Sequence, residues 1–431
     1  MLLTKAPRLA ACIAAVAAVA LAASGCSPLT SASTKAAPPA KPPAKLAAHH
    51  AKHAARARPA PARHAHPAST AARQQADTLV TEPSAGFSPV YGLIGSARHS
   101  IDITMYEFAD TTAEADLAAA ARRGVHVEVI LDQREKSEDQ AAYQYLQGHG
   151  IKVTWSSPSF TYTHQKTVII DGTTAVIMTA NLTSSYYPTS RDFLVIDTSR
   201  ADVAAITAVF TADFAHRSVQ PGDGSGDLVW SPTNAQARLL GLINGATRSL
   251  RIYSEEMGDT AVEDALIAAA RRGVDVQVCG ENENGEYDSA YARLARAGVH
   301  ISYYGNPDGF YIHGKVIEAD YGTSHAKVFI GSENFSSTSL NRNRELGIIT
   351  SAPAILSAIA SAFAGDFQRG TRQSLSQLAG DIRDRDPGQS SRPCPAANER
   401  TAAAIPDRQS TTVPNTSNST ARTARPVEEE R

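Results

Sequence analysis

Apolar and polar positions alternate through Ile101, Ile103 and Met105, the period-2 signature of a strand with one buried face. Next, Thr111-x-x-Glu114 has capping-box spacing and opens an Ala-rich helix that should stop at Gly124. Val125–Leu131 then reads as a strand, a second helix ends near Gly150, and Ile151–Trp155 is a third strand. Two more apolar runs, Thr167–Ile170 and Ala175–Ile177, flank Asp171-Gly172, a strong two-residue hairpin turn. The whole order then recurs. Thr260-x-x-Glu263 opens a helix ending at Gly273, Val274–Val278 is a strand, a helix ends near Gly298, and Val299–Tyr304 is a strand. Strands alternating with helices predict an α/β fold: two pseudo-symmetric α-β-α lobes, each a mixed sheet flanked by helices.

The repeat extends to individual residues. Ser96–Ile103 matches Gly245–Ile252, and Ala120–Val125 matches Ala269–Val274, both at a separation of 149. The same separation relates Tyr-Thr-His164-Gln-Lys166 to Tyr-Ile-His313-Gly-Lys315, each followed by Asp171 or Asp320. It becomes 153 between Asn181 and Asn334, so the second copy carries four extra residues, expected within 321–327 at a turn away from any site. One His-x-Lys arises easily by chance; two at a fixed separation with matching Asp and Asn require a joint cause.

Alternate side chains of a strand share a face, so each lobe presents an imidazole beside an ammonium. Pseudo-twofold pairing would gather two His, two Lys and two Asn around one cavity. Two cations and two amide donors suit a tetrahedral anion, most simply a phosphoryl group. Two imidazoles can divide attack from proton donation.

Doubled H-x-K-x4-D, followed by G-S-x-N or its variant, resembles the HKD motif of the phospholipase D superfamily over about residues 85–370. That resemblance implies a phosphodiesterase needing no metal or other cofactor and passing through a phosphohistidine. His164 would be the nucleophile, and His313 would protonate the leaving alcohol and then activate water. Lys166, Lys315, Asn181 and Asn334 would hold the phosphate. Asp192 and Glu345, 153 apart, would orient the histidines. Copy one departs from the family pattern: Met178-Thr179 stands where copy two has Gly331-Ser332. Thr179 keeps the hydroxyl of Ser332, whereas Met178 is expected to narrow or reshape the pocket wall near His164. Asp171 and Asp320 suit turns better than catalysis. Glu107 and Glu256 either line the cleft or bridge within the scaffold. Among Tyr303, Tyr304, Phe310 and Tyr311, half should be strand core and the rest free to meet substrate.

Composition sets the surroundings. The 431-residue chain has a formal net charge of −2, but residues 1–76 hold ten Lys/Arg and no acid. Residues 77–372 carry 23 basic against 35 acidic side chains, a net −12. Lys5 and Arg8 precede an apolar run, Leu9 to Ala23, shorter than the roughly 20 residues of a membrane span. It ends in Ala-Ser-Gly25-Cys26, which resembles a lipobox with Cys26 as the lipidated residue; ordinary cleavage or an uncleaved anchor are the alternatives. The expected plan is therefore a signal peptide (1–26), an Ala/Pro/His/Lys-rich basic tether (27–76), two repeats (77–222 and 223–375) and a polar tail (376–431). The tether histidines could bind metal, although a cationic spacer along an anionic surface fits the composition better. Cys279 and Cys394 show no metal-site spacing.

Three substrate classes follow. Membrane phospholipid is favoured, either by hydrolysis or by transfer to an alcohol as in cardiolipin-synthase-like transphosphatidylases. Nucleic acid is the alternative, and pure binding is disfavoured by the complete motif pair. A backbone-binding nuclease usually offers a basic face, and this body is acidic. The expected enzyme is exported, lipid-anchored facing outward or secreted, monomeric, and in contact with a membrane surface.

Overall fold

The computed structural model describes residues 77–305 and 309–371. The expected signal peptide with Cys26, the expected tether and the tail lie outside the described residues.

Two seven-stranded sheets form the scaffold. Across the first, the order is Thr78–Thr81, Phe193–Asp197, Thr174–Met178, Thr167–Ile170, Ser100–Met105, His126–Leu131, Lys152–Trp155. Across the second, it is Leu228–Ser231, Glu345–Thr350, Lys327–Gly331, Val316–Ala319, Ser249–Ser254, Asp275–Glu281, His300–Tyr304. Both sheets are mixed. The βαβ half pairs in parallel and the hairpin half antiparallel. The α/β expectation of two like lobes therefore holds.

Each sheet is apolar on both faces, as its burial demands. Ile101, Ile103, Val129 and Val176 pack under the first lobe's own helices, and Ile252, Val278, Ile317 and Phe329 under those of the second. The opposite faces meet in a shared core that includes Ile177, Phe193, Trp230, Tyr253, Ile330 and Ile348. Helices Arg200–Phe214 and Pro353–Arg369 add Ile206, Phe210, Ile359 and Phe363 to it. The lobes are thus joined by core rather than by a linker.

The helix that follows the Ser100–Met105 or Ser249–Ser254 strand in each lobe departs from the expected cap. Asp110, not Thr111, is the N-cap of Thr111–Arg122, and its carboxylate accepts from Thr112 and Ala113 N–H. Asp259 caps Thr260–Arg271 in the same way through Val262 N–H. A carboxylate answers the positive helix terminus better than a hydroxyl, so the Asp one residue earlier takes the position. The stops are as expected: Gly124 and Gly273 each sit at φ 89°, open to glycine at little cost.

Asp171 and Gly172 both have positive φ, and Thr173 N–H closes the turn onto Ile170 carbonyl. Asp171 Oδ1 also accepts from the backbone N–H of Arg98, His99 and Ser100. Asp320 does the same for Thr247, Arg248 and Ser249. Both aspartates pin the hairpin end to the start of the neighbouring strand, at the opposite end of the hairpin from His164 and His313. They are anchors. The four-residue insertion falls in the same turn, between Ala319 and Lys327.

Met178 neither narrows nor reshapes a pocket wall. Its side chain is fully buried in the first lobe's outer core, opposite Leu194 across the strand pair. The equivalent pair in the second lobe is Gly331 opposite Gly347, and the carboxyl of Glu333 fills the space a Cβ at either would need. Ala180 stands at the position of Glu333 in the first lobe. Met, Leu and Ala against Gly, Gly and Glu is a volume exchange within two cores.

Candidate active site

Register places the catalytic candidates. Tyr311-Ile312 pairs in parallel with Ser190-Arg191, Ile312 opposite Arg191. A single parallel bridge sets Thr163 opposite Arg344. The next residues along must then be neighbours: His313 beside Asp192, and His164 beside Glu345. Each histidine meets the carboxylate of the other lobe. His164 Nδ1 lies 2.8 Å from Glu345 Oε2, and His313 Nδ1 lies 2.8 Å from Asp192 Oδ1.

Matched hydrogen bonds hold the histidine-bearing segments. Asp132 Oδ2 accepts from Thr163 N–H at 2.5 Å, and Glu281 Oε2 from Ile312 N–H at 3.1 Å. The carboxylates are held as well. Thr179 hydroxyl donates to Asp192 at 2.6 Å; Ser339 hydroxyl and Asn343 amide donate to Glu345 at 2.6 and 2.9 Å. Ser332, the counterpart of Thr179, instead bonds the backbone of Leu346. A carboxylate on Nδ1 leaves Nε2 of each imidazole as the reactive atom.

Lys166 and Lys315 are almost wholly buried, 1% and 0% exposed. Each donates to its own histidine's carbonyl, at 2.7 and 2.6 Å. Asn181 donates to Glu107 at 3.0 Å, which brings Glu107 into the cleft. The side-chain carbonyl oxygens of Asn181 and Asn334 have no hydrogen-bond partner among the described residues. Open carbonyl acceptors are what an incoming hydroxyl or water would complete, while the amide N–H groups of the same side chains can donate to an oxyanion.

Charge follows from burial and neighbours. Burial pushes His164 below its ordinary value against the pull of Glu345, and the two lysines add to the depression, so the resting imidazole is neutral. Burial and the Lys315 ammonium push Lys166 down to about 7. Burial would raise Asp192, but His313, Lys315 and the Thr179 hydroxyl reverse it and keep the carboxyl ionised. Burial likewise opposes Glu345, which His164, Lys166 and Ser339 hold below the usual range. Burial and the neighbouring Glu255 push Glu256 up to about 7.

Of the residues singled out in the sequence, the structure sets His164 beside Glu345 and His313 beside Asp192, bonds Lys166 and Lys315 to the histidine carbonyls, and bonds Asn181 to Glu107, while Asn334 is buried. Sequence reasoning missed Tyr106 and Glu255 as site residues; Tyr311, one of the four aromatics singled out, bonds Glu255 and stacks on His313. Tyr106 and Glu255 are 149 apart and directly precede Glu107 and Glu256, so the repeat itself carried the signal. Of the other aromatics, Tyr304 is core and Phe310 and Tyr303 pack at its edges. Two buried clamps were also missed. Arg191 pairs with Asp366, and Arg344 with Asp213, each across the lobes and each Arg directly before a histidine-orienting carboxylate. These pairs repeat at 153 as well.

Residues 90–215 and 239–367 match the sequence profile of the cardiolipin synthase, PLD-like domain. The chain belongs to this family. Its two segments each carry one His/Lys pair, so the family assignment and the crossed site concern the same residues. Among solved structures, phosphatidylserine synthase of Haemophilus influenzae Rd KW20 aligns at TM-score 0.56 and 10% identity, covering 72% of this chain and 92% of that one. Polyphosphate kinase of Porphyromonas gingivalis aligns at TM-score 0.53 and 15% identity, over 72% of this chain. The alignment spans only 56% of the kinase. Nuc of Salmonella typhimurium, a phospholipase D family member, aligns at TM-score 0.31 and 23% identity, over 34% of this chain and 98% of that one. No curated protein matches the sequence. The family's members act on phosphodiesters, by hydrolysis or transfer.

Proposed function

We propose that this PLD-like protein cleaves phospholipid headgroup esters through a phosphohistidine. The observation that carries the reading is the crossed pair of carboxylate-oriented imidazoles, each beside a buried lysine. His164 Nε2 attacks phosphorus, and the P–O bond to the headgroup breaks as His313 Nε2 gives its proton to the leaving oxygen. Water then gives a proton to His313 and attacks phosphorus, and the P–N bond returns its electron pair to His164. Lys166, Lys315, Asn181 and Asn334 stabilise the charged equatorial oxygens.

Glu107, Glu255 and Glu256 favour an isolated phosphodiester over a polyanion. In a nucleic acid, phosphates flanking the scissile one would meet these carboxylates. The body's net −12 works against a polyanion in the same direction. Anchoring through Cys26, with residues 27–76 as a spacer, would place the cleft where phospholipid is the abundant phosphodiester. Metabolic labelling with an alkyne fatty acid tests this: the label should vanish in Cys26→Ser.

The deciding assay incubates purified protein with mixed phospholipid vesicles and, separately, with single- and double-stranded DNA. Headgroup release with intact DNA supports the reading; DNA cleavage with untouched lipid overturns it. In the presence of an added alcohol, a phosphatidyl-alcohol product in place of phosphatidic acid would make the protein a transferase. His313→Ala should accumulate an acid-labile phosphoryl adduct on His164, seen by mass spectrometry after alkaline denaturation.

A further inference from the structure

One break in the pseudo-twofold site changes the charge that faces a histidine. Tyr106 and Glu255 are equivalents, 149 apart, and both face a His/Lys pair. The Tyr106 ring stands edge-on to His164, centroids 4.5 Å apart, with Lys166 Nζ 4.6 Å from its centre. Its hydroxyl is tied back to Glu135 at 2.8 Å. Glu255 instead sets Oε2 2.6 Å from Lys315 Nζ and Oε1 3.6 Å from His313 Nε2. Tyr311 hydroxyl fixes the carboxylate with a 2.6 Å hydrogen bond, and its ring stacks on His313 at 5.8 Å.

We propose that Glu255 is the positioning residue that gives the two histidines different work, barring His313 from phosphorylation and holding it as the proton donor. The proposal rests on the phosphodiesterase reading above and deepens it. A phosphoryl group on His313 Nε2 would press anionic oxygens against a carboxylate whose nearest ammonium is already committed. The same group on His164 would meet an aromatic edge and an ammonium facing a ring. An imidazolium proton on His313 Nε2 is attracted by Glu255, yet 3.6 Å is too long for a hydrogen bond that would hold it back. The proton stays available to a leaving oxygen.

Neighbouring groups agree with this division. Asp192 holds Nδ1 of His313, Lys315 lies beside the ring, and Glu107 is close enough to feel its charge. Glu255 also faces Glu256, which burial and Glu255 itself push up to about 7, so that it is only partly ionised at neutral pH. Burial would raise Glu255, but His313, Lys315 and Tyr311 hold it well below the usual range, so its charge is permanent at neutral pH. On the first lobe's side the corresponding charge is absent because Tyr106 occupies the position.

The test compares the full chain with Glu255→Gln and Glu255→Tyr, the second restoring the first lobe's residue. Single turnover of bis(p-nitrophenyl) phosphate is quenched in alkali, and the phosphohistidine is mapped by peptide mass spectrometry. Wild type should carry the adduct on His164 alone, whereas the variants should carry at least about a tenth of it on His313. Without turnover, tungstate binding is measured by calorimetry, and Glu255→Gln should bind it about tenfold more tightly, because an anion beside His313 Nε2 then no longer meets a carboxylate. Adduct on His313 in wild type, or on His164 alone in both variants, overturns the proposal. If no protein forms any adduct, the phosphodiesterase reading itself fails. Tungstate binding needs no turnover and still decides: unchanged affinity in Glu255→Gln overturns the role of Glu255.

Discussion

Lys166 shows how far a single residue's surroundings set its chemistry. An ammonium that is 1% exposed, near a second ammonium, is pushed down to about 7. The sign is direct: as pH rises through that value the lysine loses its proton and the site loses one positive charge. A bound anion favours the charged form, so binding takes up a proton. Tungstate, whose own charge is constant above neutrality, should therefore lose affinity by about tenfold per pH unit above 7, measured by calorimetry. Lys166→Met should abolish that slope. His164 titrates below its ordinary value, so adduct formation should be flat at neutral pH and fall only below about 6.5, as the imidazole gains its proton. Glu345→Gln keeps the shape but loses the charge that steadies the imidazolium, and should slow phosphodiester hydrolysis by about 10²–10⁴-fold.

At the scale of the element, the hairpins are held at both ends by different means. Catalytic side chains stand at the open end, and Asp171 and Asp320 tether the turn. Three backbone N–H groups per aspartate, with burial working against them, keep each carboxyl below its ordinary range. A depressed carboxyl contributes stability that is present above its unfolded value and lost as pH falls through the folded one. Asp320→Ala should thus destabilise the protein by about 1–3 kcal/mol at pH 7 in urea melts, and the difference should begin to shrink only as pH falls below about 4. Its kcat should be unchanged, because the turn lies at the far end of the hairpin from His313. The third residue of the repeated motif is in this fold a hinge pin for the first two.

For the whole molecule, the governing fact is that neither lobe contains a complete half-site. His164 is oriented by the second lobe and His313 by the first, so lobe docking and catalysis are one requirement. The buried clamps enforce it. Asp366 receives Arg191 twice and Tyr253 once, with no exposed surface of its own. Asp366→Ala leaves Arg191 without its partner in the core and should cost about 3–5 kcal/mol in a denaturant titration. Activity should fall with it, since Arg191 precedes Asp192. The paired change Arg191→Met with Asp366→Leu should regain most of the stability, because a well-packed apolar pair can replace a buried ion pair. It should recover less of the activity than of the stability.

Much of this was written in local pattern. Periodicity and glycine stops set the elements, and the fixed separations of 149 and 153 set the repeat and eight of the site residues. Those signals are legible because strand alternation, helix termination and turn chemistry act within a few residues. The crossing of the histidines and carboxylates was not legible. It depends on Thr163 meeting Arg344 and Ile312 meeting Arg191, pairings between distant segments that only packing of the two sheets selects. Met178 misled for the same reason: its partner Leu194 and the Gly331, Gly347 and Glu333 exchange exist only across strand pairs. The chain dictated which groups would react; the docking of two sheets decided which carboxylate each would face, because that choice is made by contacts far apart in sequence.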